Sequence, residues 1–195
     1  MRRRLYPDRV VNYRTLVRDN LNFTDHVQRT LVTASCIAFT GAETVCDPAV
    51  GDGTVMEAAH RLRPIKKAWV SDLSEPNINR LSVSFPHQKA AIDIATALRS
   101  LPEKVDTIVL TEILEHLEDP DEIVRLAREK ATWLVASSPV EEPEGVVNPE
   151  HLWSFGRDGY REMLVSGGWV PVTYTETLFP DDPRLYYAFQ VWACR

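Results

Sequence analysis

Two groups of residues in this chain have the types and spacing to do chemistry. Glu112, Glu115 and His116 stand at i, i+3 and i+4, so a helix there would present all three on one face. His151 follows from a later loop, and parallel strands deliver such loops to one end of their sheet. Two carboxylates and two imidazoles can hold a divalent ion and leave positions open for substrate oxygens. Without an ion, His116 or His151 can serve as a general base or positioning residue, and Glu112 at a helix N-terminus is favourable with no ligand at all. The second group is the run from Thr44 to Thr54, where an apolar lead-in ends on Asp47 and a turn carrying Gly51 and Gly53 follows. Missing side chains there let a ligand approach the main chain, and the N–H groups of the following helix face it. The turn lacks the Lys-Ser/Thr of a phosphate-binding loop, which disfavours a nucleoside triphosphate.

The elements that must position these groups alternate. Thr44 to Asp47 reads as a first strand, Lys67 to Asp72 as a second and Gln88 to Ile92 as a short third. Val105 to Thr111 is a near-continuous apolar run, as expected of a central parallel strand covered on both faces, and Thr132 to Ser137 is a fifth. Helices over Val55–Leu62, Asn77–Val83, Ala95–Leu98, Pro120–Lys130 and Arg157–Ser166 fall between or after them. Trp169–Thr177 and Leu185–Cys194 look like a hairpin closing one sheet edge. The pattern is that of an α/β doubly wound sheet. Upstream, a helix begins near Thr24 or Asp25 and ends at Gly41, and residues 1–23 read as one or two short helices laid over the domain. Residues 1–40 are thus expected to form an N-terminal helical cap on a single domain spanning 1–195.

Composition narrows the class. A length of 195 residues suits one α/β domain, and 44% hydrophobic with 26% charged residues is ordinary for a globular protein. No apolar run reaches membrane-spanning length, and the arginines after Met1 lack the apolar segment of a secretory signal. Cys36, Cys46 and Cys194 are scattered and read as reduced core residues of a cytoplasmic protein. A formal charge of −6 provides no general attraction to nucleic acid.

Four stretches together resemble the class I S-adenosylmethionine-dependent methyltransferases, over about residues 24–195. Asp47-Pro48-Ala49-Val50-Gly51-Asp52-Gly53 is similar to the family's first motif, with Ala49 where a glycine is usual. Asp72 stands 19 residues beyond Gly53 at a strand end, where the family's acid holds the ribose hydroxyls. Thr111-Glu112-Ile113-Leu114-Glu115-His116-Leu117-Glu118-Asp119-Pro120 resembles the stretch after the fourth strand in ubiquinone-pathway-type O-methyltransferases. His151-Leu152-Trp153-Ser154-Phe155, with a helix ending in Gly167-Gly168-Trp169, resembles a later segment of the same group.

The resemblance implies a Rossmann-like seven-stranded sheet with a C-terminal antiparallel hairpin, and S-adenosyl-L-methionine as cofactor. Backbone at Ala49, Gly51 and Gly53 would face its methionine part, with Asp47 orienting the loop or meeting the amino group. Asp72 would take the ribose, Asp93 and Ile94 the adenine, and Thr111 the cofactor side of the fourth strand end. For Asp93 a helix N-cap is the alternative. The resemblance further implies Glu112, His116 and His151 as catalytic residues. Glu112, Glu115, His116 and His151 match ligands of Mg²⁺ or Mn²⁺ in ubiquinone-pathway O-methyltransferases and in enzymes that methylate the 3′-terminal 2′-hydroxyl of small RNAs. A small-molecule hydroxyl is the expected acceptor. RNA 3′-end methylation, a non-catalytic cofactor-binding partner protein and a nicotinamide dehydrogenase are the rival readings. Tyr6, Tyr13, Phe23, His26, Trp153, Phe155 and Tyr186 are aromatics able to line the acceptor pocket, under a cap made by the N-terminal segment and residues 140–150.

Overall fold

The computed structural model describes residues 1–5, 24–142, 148–177 and 188–195. Five parallel strands, β2 (Thr44–Asp47), β3 (Lys67–Asp72), β4 (His87–Ala91), β5 (Val105–Thr111) and β6 (Ala131–Val140), lie in the order β4-β3-β2-β5-β6. β9 (Ala188–Cys194) inserts antiparallel between β6 and β8 (Pro171–Thr177), giving the seven expected strands, to which two short ones add for nine among the described residues. The chain runs outward from β2 to β4 and then returns to β5 beside β2. That reversal opens a crevice at the carboxyl ends of β2 and β5, where ligands bind in open α/β sheets.

Alternation along the strands divides the core into two layers. Ile108 and Leu110 of β5 face a layer with Leu98, Val124 and Leu164, while Val109 faces the opposite layer with Ile37, Val55 and Ile78. Helices α1 (Thr24–Thr40), α2 (Thr54–Leu62) and α3 (Glu75–Arg80) belong to the Val109 side. Helices α4 (Ile94–Arg99), α5 (Pro120–Lys130) and α6 (Arg157–Ser166) belong to the other. Their starts follow local chemistry: Ser74, Asp93 and Asp119 each cap the following helix by accepting a backbone N–H three residues on. Among the described residues, no helix is long and apolar enough to cross a membrane.

Two short strands depart from expectation. Arg2–Arg4 is strand β1, not helix, and pairs antiparallel with β7 (Trp153–Phe155), which joins β6 only at Val140. Sequence periodicity is silent here because three residues carry no period; the pairing is made by side chains distant in sequence. Arg2 donates to Asp121 at 2.5 Å with its guanidinium 4.1 Å from the Trp153 ring, and Arg4 pairs with Glu118. The helices read over residues 6–23 lie outside the described residues.

Candidate active site

The glycine turn is held by its own acids. Asp47 is buried and accepts the Ala49 N–H at 3.2 Å, and Asp72 accepts from Gly51 N at 2.9 Å and from Ser74 N at 2.7 Å. Gly51 and Gly53 both have positive φ, 57° and 80°, which explains two glycines at these places. Ala49 has no positive φ and its methyl packs on the core, so this position tolerates the side chain. Burial pushes the Asp47 carboxyl up to about 7, opposed by the Ala49 N–H and reinforced by neighbouring Asp72.

A cavity of about 660 Å³ opens at the carboxyl ends of β2, β3 and β5. Asp47, Ala49, Gly51, Asp72, Ile94 and Thr111 line one half, and Asp93 reaches its wall. Gly53 does not line it. A Cβ there would sit 2.6 Å from Leu81 Cδ1 and 2.8 Å from Val83 Cγ1, so this glycine serves the turn and its packing. Asp93 is the N-cap of α4, with one oxygen accepting from Thr96 N at 2.9 Å and the other from Thr96 Oγ1 at 2.7 Å.

The other half brings together Glu115, His116 and His151, which can each offer one ligand atom within 4.8 Å of the others. The single helix face expected from the i, i+3, i+4 spacing does not form. Glu112 adopts φ 52°, a left-handed conformation rare outside glycine, and a 3₁₀ turn over Leu114–His116 follows. That twist separates Glu112 from the other three. Its carboxylate accepts from Ser137 Oγ at 2.7 Å and lies 3.8 Å from the Arg29 guanidinium. It still lines the cavity.

His151 arrives because its segment is stitched to the 3₁₀ turn. Leu152 N donates to Glu115 O at 2.7 Å and Trp153 Nε1 to Leu117 O at 2.8 Å. The rings of His116 and His151 meet edge to face with centroids 4.6 Å apart. Both Nδ1 atoms have acceptors: His116 the Glu150 carbonyl at 2.9 Å, His151 the Glu142 carboxylate at 2.6 Å. Glu115 is 1% exposed, and neither of its oxygens has a hydrogen-bond partner among the described residues. Burial, then the Glu112 charge, raise its carboxyl well above the ordinary range, and burial raises Glu112 against the pull of Arg29.

Two residues at the site had no part in the sequence reading, Arg29 on the cavity wall and Glu142 behind His151. Arg29 enters from α1, where one cation among apolar positions is an inconspicuous signal. Glu142, just beyond β6, carries the signal that marks Asp72 and Glu112, an acid at a parallel strand's carboxyl end. Of the expected aromatics, His26 lines the cavity beside Phe189, its ring centroid 5.8 Å away. Phe155 is buried in the core and Trp153 packs against it; Tyr6, Tyr13, Phe23 and Tyr186 lie outside the described residues.

Solved structures share this architecture over most of the chain. Magnesium protoporphyrin IX methyltransferase of Synechocystis PCC 6803, with S-adenosylhomocysteine bound, superposes with a TM-score of 0.67 at 18% identity, covering 91% of this chain and 89% of that one. The N-methyltransferase NodS of Bradyrhizobium japonicum gives 0.70 at 17% identity over 90% and 89%. This is the class I methyltransferase fold. The [4+2]-cyclase SpnF matches it equally well, with a TM-score of 0.70, 12% identity and coverage of 95% and 87%. No family model and no curated protein sequence matches the chain. In this methyltransferase fold the crevice beside β2 and β5 is the one that the cavity occupies.

Proposed function

We propose that this chain is an S-adenosylmethionine-dependent methyltransferase that acts on an oxygen of a small molecule. The observation that carries the reading is one continuous cavity joining the Asp47–Gly51 turn and Asp72 to Glu115, His116 and His151. The first half suits the cofactor by residue type: N–H donors for its carboxylate, Asp47 for its ammonium, Asp72 for vicinal hydroxyls and Ile94 beside the base. Two of the similar structures hold S-adenosylhomocysteine, which supports the same cofactor here. Without an ion, the second half supplies imidazoles to take the acceptor's proton while the methyl passes in line from sulfur to oxygen. Residues 1–195 are read as one domain, with α1 as the described part of its cap, since it brings His26 and Arg29 to the cavity wall.

The donor set of Glu115, His116 and His151 fits a divalent cation. Two buried carboxylate oxygens without partners among the described residues and two imidazoles within 4.8 Å form a concentration of lone pairs that a cation would neutralise. Two nitrogens among three donors favour Mn²⁺ over Mg²⁺. Such an ion would polarise the acceptor hydroxyl as a Lewis acid. Nucleic acid is disfavoured as acceptor because Glu112, Glu115, Glu118, Asp119 and Glu122 make this wall acidic.

Calorimetric titration with S-adenosylhomocysteine, with NAD as the control, tests the cofactor half. Transfer of labelled methyl to panels of hydroxyl, amine and short RNA acceptors, with and without Mn²⁺, tests the other. Binding together with transfer to hydroxyls is the expected result. Transfer to amines alone would replace oxygen by nitrogen, and binding without transfer anywhere would favour a partner protein. NAD binding in place of S-adenosylhomocysteine would overturn the reading.

A further inference from the structure

We propose that Glu142 is the positioning residue of His151, accepting its Nδ1 proton and thereby making Nε2 the nitrogen that carries the lone pair into the site chemistry. The inference rests on the reading of His151 as an acceptor-side residue and adds a residue to which nothing above gives a role. Glu142 Oε2 lies 2.6 Å from His151 Nδ1, with side-chain exposures of 1% and 6%. Glu142 Oε1 accepts the Asn148 N–H at 3.3 Å, so the carboxylate is oriented through both oxygens. Just before it, Glu141 has φ 45° and donates its N–H to Phe155 O at 3.1 Å, which turns the chain at the end of β6 toward the β7 segment.

An ionised carboxylate only accepts, so a neutral imidazole bonded to it through Nδ1 must carry its proton there. The remaining nitrogen, Nε2, is then the base or ligand atom of His151, in the ring that meets His116 beside Glu115. An imidazole of the opposite tautomer would have an N–H at Nε2 and could neither take a proton nor bind a cation there. A carboxylate behind a functional histidine also holds the ring's orientation, and removal of such a partner typically costs 10–100-fold in metal affinity or activity.

The test uses the whole 195-residue chain and begins without a variant. Long-range ¹H–¹⁵N spectra of histidine-labelled protein, at a pH where His151 is neutral, should show its proton on Nδ1. In Glu142→Ala that signature should be lost, while His116, held by the Glu150 carbonyl, keeps its own. Mn²⁺ affinity, measured with the metal alone, and kcat should each fall about 10–100-fold, with KM for S-adenosylmethionine unchanged. Glu142→Gln keeps an acceptor oxygen and should recover most of both the signature and kcat. A proton on Nε2 in the wild type would overturn the proposal. So would a folded Glu142→Ala with unaltered tautomer and kcat. If the wild type neither binds Mn²⁺ nor transfers methyl, the reading of the site fails, while the tautomer still decides the role of Glu142.

Discussion

Asp47 and Glu115 are both buried acids, and their surroundings give them opposite uses. Asp47 ionises near 7 because burial outweighs the single Ala49 N–H. The cofactor's ammonium would favour the ionised form. Affinity for S-adenosylmethionine should therefore rise by up to tenfold per pH unit toward about 7 and level off above it. Calorimetry of Asp47→Asn should show that rise abolished and binding weakened by about 10–100-fold. The raised value favours the protonated form in the fold. Asp47's contribution to the stability of the cofactor-free protein is thus full below about 4 and lost as the pH climbs to about 7. The same sign holds for Glu115, whose carboxyl is raised by burial and then by the Glu112 charge. In metal-free protein Glu115→Gln should gain stability over the wild type as pH rises, by about 1–3 kcal/mol once the wild-type carboxyl is ionised, or roughly 2–4 °C in Tm for each kcal/mol. The gain should shrink as pH falls and the wild-type carboxyl takes up its proton, while methyl transfer is lost. Melting curves across a pH series read the first effect. Asp47 and Asp72 were legible as acids at strand ends; the missing partners of Glu115 were not, because burial belongs to no single stretch of sequence.

Elements formed where their own residues decide, and departed where neighbours do. Pro120–Lys130 and Arg157–Ser166 occupy the positions their spacing and caps predict. The stretch from Glu112 to His116 does not form the expected helix. Glu112 N donates to Ser137 O at 3.1 Å on the adjacent strand, and Glu115 O is taken by Leu152 N, so two distant segments bend it into a 3₁₀ turn. Strand β1 shows the same dependence at the sheet edge. It lies against Gly159 of α6, where a Cβ would be 2.7 Å from Met1 C and O and 2.8 Å from Arg2 N. Gly→Ala inside a helix ordinarily adds about 1 kcal/mol of stability. Here Gly159→Ala should instead displace β1. Hydrogen exchange at the amides of Leu5 and Gly156, now bonded to Leu152 O and Met1 O, should accelerate at least about tenfold, with little change in global Tm. Unchanged protection would show that β1 is not seated on this glycine.

At the scale of the molecule, β5 joins the two core layers and its end opens into the cavity. Leu110 is fully buried, and the next two residues reach the cavity. Leu110→Ala should cost about 2–5 kcal/mol, lowering Tm by roughly 4–20 °C in differential scanning calorimetry. The loss should appear as one cooperative transition, because both layers rest on the same strand. The sequence by itself determined the alternation of strands and helices, the glycine turn, the acids that follow strand ends and the class of fold. Each of these is written in residues next to one another, through side-chain period, turn chemistry and capping. Tertiary structure alone decided which donors meet. It drew His151 to Glu115 and His116, turned Glu112 toward Ser137 and Arg29, placed Glu142 behind His151 and recruited Arg2–Arg4 as a strand. The physical reason is that these outcomes rest on hydrogen bonds between separate segments, such as Leu152 N to Glu115 O, whose geometry exists only once the sheet has brought those segments side by side.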